Sequence, residues 1–212
     1  MLMLYDYFRS SASLRVGIAL NLKKLAYQSI PVHLLQAGGE QFFASYTTLN
    51  PQSLVPTLKN EGAVITQSLT ILEYLEETFP APPLLPKDRE ARAYVRSIAQ
   101  AIACDIHPLS NLRVLNYLGK QGVHGDDKRR WTHHWLTLGL TALDEKIKKS
   151  IWRGTYCYQE QPTFADICLI PQLFSAKRFQ LDLSPYPHLL AIEAHCLKNP
   201  AFSSALPPLD FK

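Results

Sequence analysis

The sequence predicts two domains of different class: an α/β domain over residues 1–80 and an all-α domain over 88–212. Three observations predict this. Short apolar runs alternate with helical spacing up to about residue 80. A proline-rich stretch, PAPPLLPKD at 80–88, then interrupts the chain, and residues 81–87 read as a semi-rigid linker. After it, every apolar pattern is helical. The chain has 212 residues, 47% hydrophobic and 19% charged, which is globular composition with ample surface to bury in both domains.

Each element has its own signal. MLMLYDY at the start is short, apolar and aromatic, as a buried strand is. Leu14, Ile18, Leu22 and Leu25 recur at helical spacing and predict a helix over 13–25. YQSIPVHL at 27–34 reads as a second strand, with Pro31 placing it at an edge or a bulge. GGEQFFASYTTLNP is a loop with one helical turn. VPTLKNEGAVITQ gives two short strands about a turn at Asn60, Glu61 and Gly62. A helix over 68–79 follows, with Ser68 as the expected cap. Strand, helix, strand, irregular segment, hairpin, helix make a four-stranded sheet of the thioredoxin-like type. Val55-Pro56 falls where that fold carries a cis-proline before its third strand.

In the second domain Asp88 is placed to cap a helix, and Pro108 marks a kink or break. Trp131, Trp135, Leu138 and Leu143 share a helical pattern. Thr163 and Asp166 form T-x-x-D, a variant of the capping box. HLLAIEAHCLKNPAF at 188–202 supplies a last helix.

Composition excludes several classes of function. The net charge of +4 is scattered except for DDKRR at 126–130, so no nucleic-acid partner is expected. No apolar run is long enough for a bilayer and the N-terminus has no charged n-region, so neither a membrane anchor nor a signal peptide is expected, and the location expected is cytoplasmic. Cys104, Cys157, Cys168 and Cys196 lie far apart without C-x-x-C and are expected as free buried thiols of a reducing compartment. His133 and His134 are adjacent and have no H-x-x-x-H partner, so no metal is expected.

The chemistry concentrates at a strand-to-helix corner, FRSSASLR, holding Ser10 and Ser11. Helix N–H groups and the positive end of the dipole stabilise an anion there. A thiol of pKa about 8.5 placed at such a point shifts toward ionisation, and a hydroxyl donating to the sulfur adds to the effect. The corner has no cysteine, so the thiol would come from outside, and glutathione is the cytosolic candidate. Plain N-capping by Ser10, Ser11 or Ser13 is the alternative. Gln67 and Ser68 open a second helix after a strand, where a second anion fits. Val55, before Pro56, has a backbone N–H and C=O able to pair with a peptide as an added strand.

Nearly the whole chain resembles the zeta class glutathione transferases, the maleylacetoacetate isomerases of tyrosine and phenylalanine breakdown. YFRSSASLRVGIALNLKKLAY, LNPQSLVPTL, TQSLTILEYLEE, DIHPLSNLRVL, FADICLIPQLFSAKRF and LDLSPYP carry the resemblance. It implies a thioredoxin-like domain with an all-helical partner domain, a homodimer, and glutathione as cofactor. Ser10 and Ser11 fall at its thiolate-stabilising pair, with Ser10 the essential hydroxyl. Gln67 and Ser68 match the pair that holds the γ-glutamyl end, Val55 the backbone partner of the cysteinyl unit, and Gln41 a side chain near the glycyl end. Asn111 matches a position of the helical domain that approaches the site. Arg178 matches an arginine for a substrate carboxylate, with a surface salt bridge as its other reading. Arg9 is placed to help hold a dicarboxylate or to serve the structure.

Two positions depart from the family pattern. Ala12 stands where many relatives have cysteine, so no activity here can require that thiol. His107 stands where some have glutamine, and either contacts ligand or caps the break before Pro108. The implied reaction is cis–trans isomerisation of a maleyl double bond. It requires that the C=C become briefly single, which a thiolate adding and leaving achieves. Maleylpyruvate isomerases share the scaffold but carry an arginine directly after the asparagine of the helical-domain motif. Leu112 occupies that place, which leans toward maleylacetoacetate. A non-catalytic binding module on the same fold is the rival of another class.

Overall fold

In the computed structural model, which describes residues 1–209, the first strand is the organising element of the N-terminal sheet. The order is β2-β1-β3-β4, with β1 Leu2–Asp6, β2 Tyr27–Pro31, β3 Thr57–Asn60 and β4 Ala63–Thr66. β1 pairs with β2 in parallel and with β3 antiparallel, and β3 and β4 form the expected hairpin. Pro31 is on an outer strand, where its missing N–H costs no ladder bond. This is the thioredoxin-like sheet. Val55-Pro56 is cis, as is Ala81-Pro82.

The helix after β1, α1, runs Ser11–Leu22, two residues earlier than its apolar spacing suggested. Ser10 caps it, and Ser13 N–H donates to Ser10 Oγ at 3.2 Å. From Ser13 to Leu20 every residue is buried, with Val16, Ile18 and Leu20 fully so. Each such side chain contributes roughly 1.5–3 kcal/mol. Short turns and α2 (Ala44–Thr47) cross to β3, and α3 (Ser68–Thr78) buries Ile71, Leu72 and Leu75. Ser68 is not the cap of α3. Gln67 holds that position with φ 68°, and Ser68 is the first helical residue.

The chain forms two compact units, Met1–Leu84 together with Ala201–Pro208, and Leu85–Pro200. The proline-rich stretch is tied into the first through Lys23. Its buried Nζ donates to Glu76 Oε2 (2.7 Å), Phe79 O (2.7 Å) and Pro82 O (3.0 Å). Glu76 also accepts from the Leu84 N–H. Asn21 Nδ2 donates to Ala201 O, which fastens the late segment to α1.

The second unit is all helical. Asp88 caps α4 (Arg89–Gln100), accepting from Ala91 N–H at 2.8 Å. A π turn, Ala101–Ile106, and a 3-10 turn, His107–Ser110, make the break around Pro108 before α5 (Leu112–Lys120). The long α6, Gly125–Lys148, buries Thr132, Leu136, Leu140, Leu143 and Ile147. Leu138 lies off that stripe and is 58% exposed, and Trp131 and Trp135 are half-buried; of the four residues on the expected helical pattern only Leu143 is buried.

α7, Phe164–Arg178, opens on the capping box of Thr163 and Asp166. The buried Asp166 carboxylate accepts from the N–H groups of Cys157 (2.7 Å) and Thr163 (2.8 Å). The expected last helix is two, α8 (Pro187–Cys196) and α9 (Pro200–Ser203), because Pro200 cannot continue the ladder of α8. Cys157, Cys168 and Cys196 are buried free thiols, and burial pushes Cys157 and Cys196 well above the usual thiol range. Cys104 is exposed, contrary to expectation.

Candidate glutathione site

Strand register gathers the N-terminal candidates. Thr57 pairs with Tyr5 near the end of β1 and with Thr66 at the end of β4, while Pro31 of β2 pairs with Asp6. The Ser10 corner, Val55 and the start of α3 therefore lie at one end of the sheet. Neither α1 nor α3 has an acidic residue in its first turn, whereas α4, α6 and α7 do. Two positive dipole ends are left there without an acid of their own helix.

At that end the residues differ in what they offer. Ser10 is half-buried, and its oxygen accepts the Ser13 N–H; its own O–H proton is not consumed by that role. Ser11 is buried at the first position of α1. Ser13 accepts from the Tyr7 N–H at 3.3 Å, which ties the corner to the strand end. Arg9 is half-buried with its guanidinium 5.2 Å from the Phe8 ring centroid. Ala12 is half-buried in the first turn. Val55 makes no backbone hydrogen bond among the described residues, so its N–H and C=O remain for a ligand's amide.

Gln67 is exposed, and its Nε2 donates to Gln52 Oε1 at 2.7 Å. Ser68 is buried, and its Oγ accepts from Arg15 Nη1 at 3.2 Å. Gln41 is 6% exposed; Nε2 lies 3.5 Å from Leu34 O, and Oε1 is buried with no partner among the described residues. Gly39 makes room for it: a Cβ there would lie 2.6 Å from Gln41 Nε2, and φ is 107°.

The other candidates belong to the second unit. His107 joins the π and 3-10 turns, with its N–H on Ile102 O and its own O accepting from Ser110 Oγ. Asn111 caps α5 and accepts the Arg113 N–H at 3.1 Å. Arg178 is the last residue of α7 and half-buried, next to Lys177, whose Nζ pairs with Glu193 at 2.6 Å.

Sequence reasoning passed over Arg15. It is 1% exposed in the middle of α1 and directs a guanidinium to the start of α3. The available signal was a charge inside a run of apolar residues, which demands a buried polar partner.

Residues 4–83 match the family described as Glutathione S-transferase, N-terminal domain. A probable maleylacetoacetate isomerase of Vibrio cholerae is 47% identical over 207 residues, covering 97% of this chain and 95% of its own. The holo structure of a maleyl pyruvate isomerase, described as a bacterial zeta-class glutathione S-transferase, is 41% identical with a TM-score of 0.94 and covers 98% of both chains. A maleylacetoacetate isomerase from Methylobacterium extorquens AM1, solved with malonate and glutathione bound, is 36% identical with a TM-score of 0.92, covering 96% of this chain and 95% of that one.

Fold and family together define a glutathione transferase, and glutathione is the cofactor of that class. Within it, the chain belongs to the zeta-class family of the maleylacetoacetate isomerases.

Proposed function

We propose that this protein is a glutathione-dependent cis–trans isomerase that converts maleylacetoacetate to fumarylacetoacetate, acting as a cytoplasmic homodimer with glutathione transferase activity on the side. One observation carries the reading. A serine hydroxyl, two helix N-termini without first-turn acids and the unused amide of Val55 share one end of the sheet. That set of donors fits an extended peptide bearing a thiol and a terminal carboxylate.

When bound, glutathione supplies a thiolate that can add to the substrate alkene and leave again, which frees the double bond to rotate. The chain's own part is electrostatic and positional. Ser10 O–H and the α1 dipole hold negative charge on sulfur. The Gln67 and Ser68 start of α3 takes the γ-glutamyl carboxylate, and Val55 fixes the cysteinyl amide. Arg178 and Arg9 are proposed for the two carboxylates of the substrate, and Asn111, His107 and Gln41 for ligand contact, on the resemblance. No helix among the described residues is long and apolar enough to cross a membrane.

Maleylpyruvate is the second substrate to weigh, because a maleyl pyruvate isomerase is among the relatives. Leu112 after Asn111 favours maleylacetoacetate. Turnover of the two substrates side by side, with and without glutathione, tests the reading. Glutathione-dependent turnover preferring maleylacetoacetate is expected. Preference for maleylpyruvate would reassign the substrate, and no turnover of either would refute the isomerase. Sedimentation at micromolar concentration tests the homodimer.

A further inference from the structure

The loop after β2 is closed on a single side chain, His33. The His33 N–H donates to Glu40 Oε2 at 2.6 Å, and the Glu40 N–H returns to His33 O at 2.9 Å. Within that ring His33 Nδ1 accepts two backbone N–H groups, from Leu35 at 3.2 Å and from Gln36 at 3.0 Å. Neither N–H has another acceptor among the described residues. The Gly39 N–H donates to Gln36 O at 2.7 Å and completes the turn.

These bonds hold a backbone that is unfavourable by itself. Ala37 has φ 51°, in the left-handed region that a Cβ disfavours, and Gly38 and Gly39 follow with φ 79° and 107°. Gln41 comes directly after Glu40 and is buried, with Nε2 3.5 Å from Leu34 O in the same loop. The place of Gln41 is therefore set by how the loop closes.

The imidazole also reaches the serine corner. Its ring meets the Tyr7 ring edge-on at 5.0 Å between centroids and lies 6.2 Å from the Phe8 ring. Tyr7 carries the corner: its O accepts the Ser10 N–H at 2.8 Å, and its N–H donates to Ser13 Oγ. One side chain joins the loop of Gln41 to the strand end that bears Ser10.

The hydrogen bonds assign the tautomer. A backbone N–H only donates, so Nδ1 carries a lone pair and the ring proton is on Nε2. Protonation of Nδ1 would set an N–H against two others, and both bonds would be lost. Histidine is the side chain whose charge changes between about pH 5 and 8. The titratable and charged groups around this ring are Glu40 of the loop, the Tyr7 hydroxyl, and Arg9 over the far ring of Phe8.

We infer that His33 is a positioning residue for glutathione: the neutral imidazole keeps the loop closed and so places Gln41, and protonation releases it. The inference rests on the place proposed above for Gln41 at glutathione.

Titration calorimetry with S-methylglutathione, which has no thiol to ionise, tests it on the intact protein. At pH about 8, His33→Ala should bind about tenfold more weakly, as loss of a modest hydrogen bond gives. His33→Asn should bind within about threefold of wild type, because an Asn side-chain oxygen accepts the N–H two residues on. Wild-type affinity should fall about fivefold from about pH 8 to about pH 5.5, and His33→Asn affinity should not. Gln41→Ala should also weaken binding, and adding His33→Ala to it should cost nothing more, because one acts through the other. Gln41→Ala binding as wild type would remove Gln41 from the site and this inference with it. Weakened Gln41→Ala beside unchanged His33→Ala, additive losses, or the same fall with pH in His33→Asn would overturn the inference alone. The pH comparison decides it even if His33→Ala does not fold.

Discussion

Arg15 and Ser68, 53 positions apart, meet where Nη1 of the guanidinium donates to the serine Oγ at 3.2 Å. Arg15 thereby anchors the first helical residue of α3, whose positive dipole end is the place proposed for the γ-glutamyl carboxylate. Ser68→Ala and Arg15→Met should each lower glutathione affinity about tenfold, with Arg15→Lys intermediate because one donor is kept. Titration calorimetry measures this. Unchanged affinity in folded Arg15→Met would remove Arg15 from the site.

Ser10 carries two duties that can be separated. Ser10→Ala should lose about 1 kcal/mol of stability with the α1 cap and roughly 10²-fold in turnover with the donor to sulfur. Ser10→Asn retains a cap without a hydroxyl, so stability should return and turnover should not. Denaturant unfolding and glutathione-dependent turnover report the two effects. If Ser11→Ala abolishes turnover while Ser10→Ala spares it, the two serines exchange roles.

Lys23 and Glu76 hold α1, α3 and the proline-rich segment together through a buried ion pair of 2.7 Å. Removing one partner leaves the other charged and desolvated. Lys23→Met should destabilise the first unit by about 3–5 kcal/mol. A loss below about 1 kcal/mol in chemical denaturation would show that the pair is dispensable.

Asp6 gives a pH dependence of definite sign. Burial raises its folded pKa above the ordinary 3.8, so the folded state holds its proton more tightly than the unfolded chain does. The stability this provides is complete below 3.8 and is lost as pH rises through the folded value. Asp6→Asn removes the term, so without ligand the variant should gain on the wild type as pH rises across that window. Urea midpoints over an acid-to-neutral series check it. A variant that loses ground over the same window would contradict the upward shift that partial burial gives Asp6.

Much of this fold was legible in short stretches. The alternation around β1, the turn at Glu61 and Gly62, the Asp88 cap and the Thr163–Asp166 box all depend on partners within a few residues. Such features follow from backbone sterics and nearby donors, and a local window contains all of their physics. The S-S corner and the Q-S helix start were legible for the same reason.

What the sequence determined by itself was therefore the elements, their order and the place of the serine corner between β1 and α1. Tertiary structure decided what depends on distant chain. Ser68 reads locally as a cap, yet its oxygen serves Arg15 because Gln67 takes the left-handed cap position. Leu138 shares a helical pattern with Leu143 in the sequence, yet packing selects the stripe through Leu136, Leu140 and Leu143. Residues 201–208 read as the end of the helical domain, yet Asn21 draws Ala201 to α1, and the late segment lines a cavity with Asp6. Periodicity specifies which side chains can share a face. Only the packed chain specifies which face is covered, and a buried polar group takes the partner that packing brings to it.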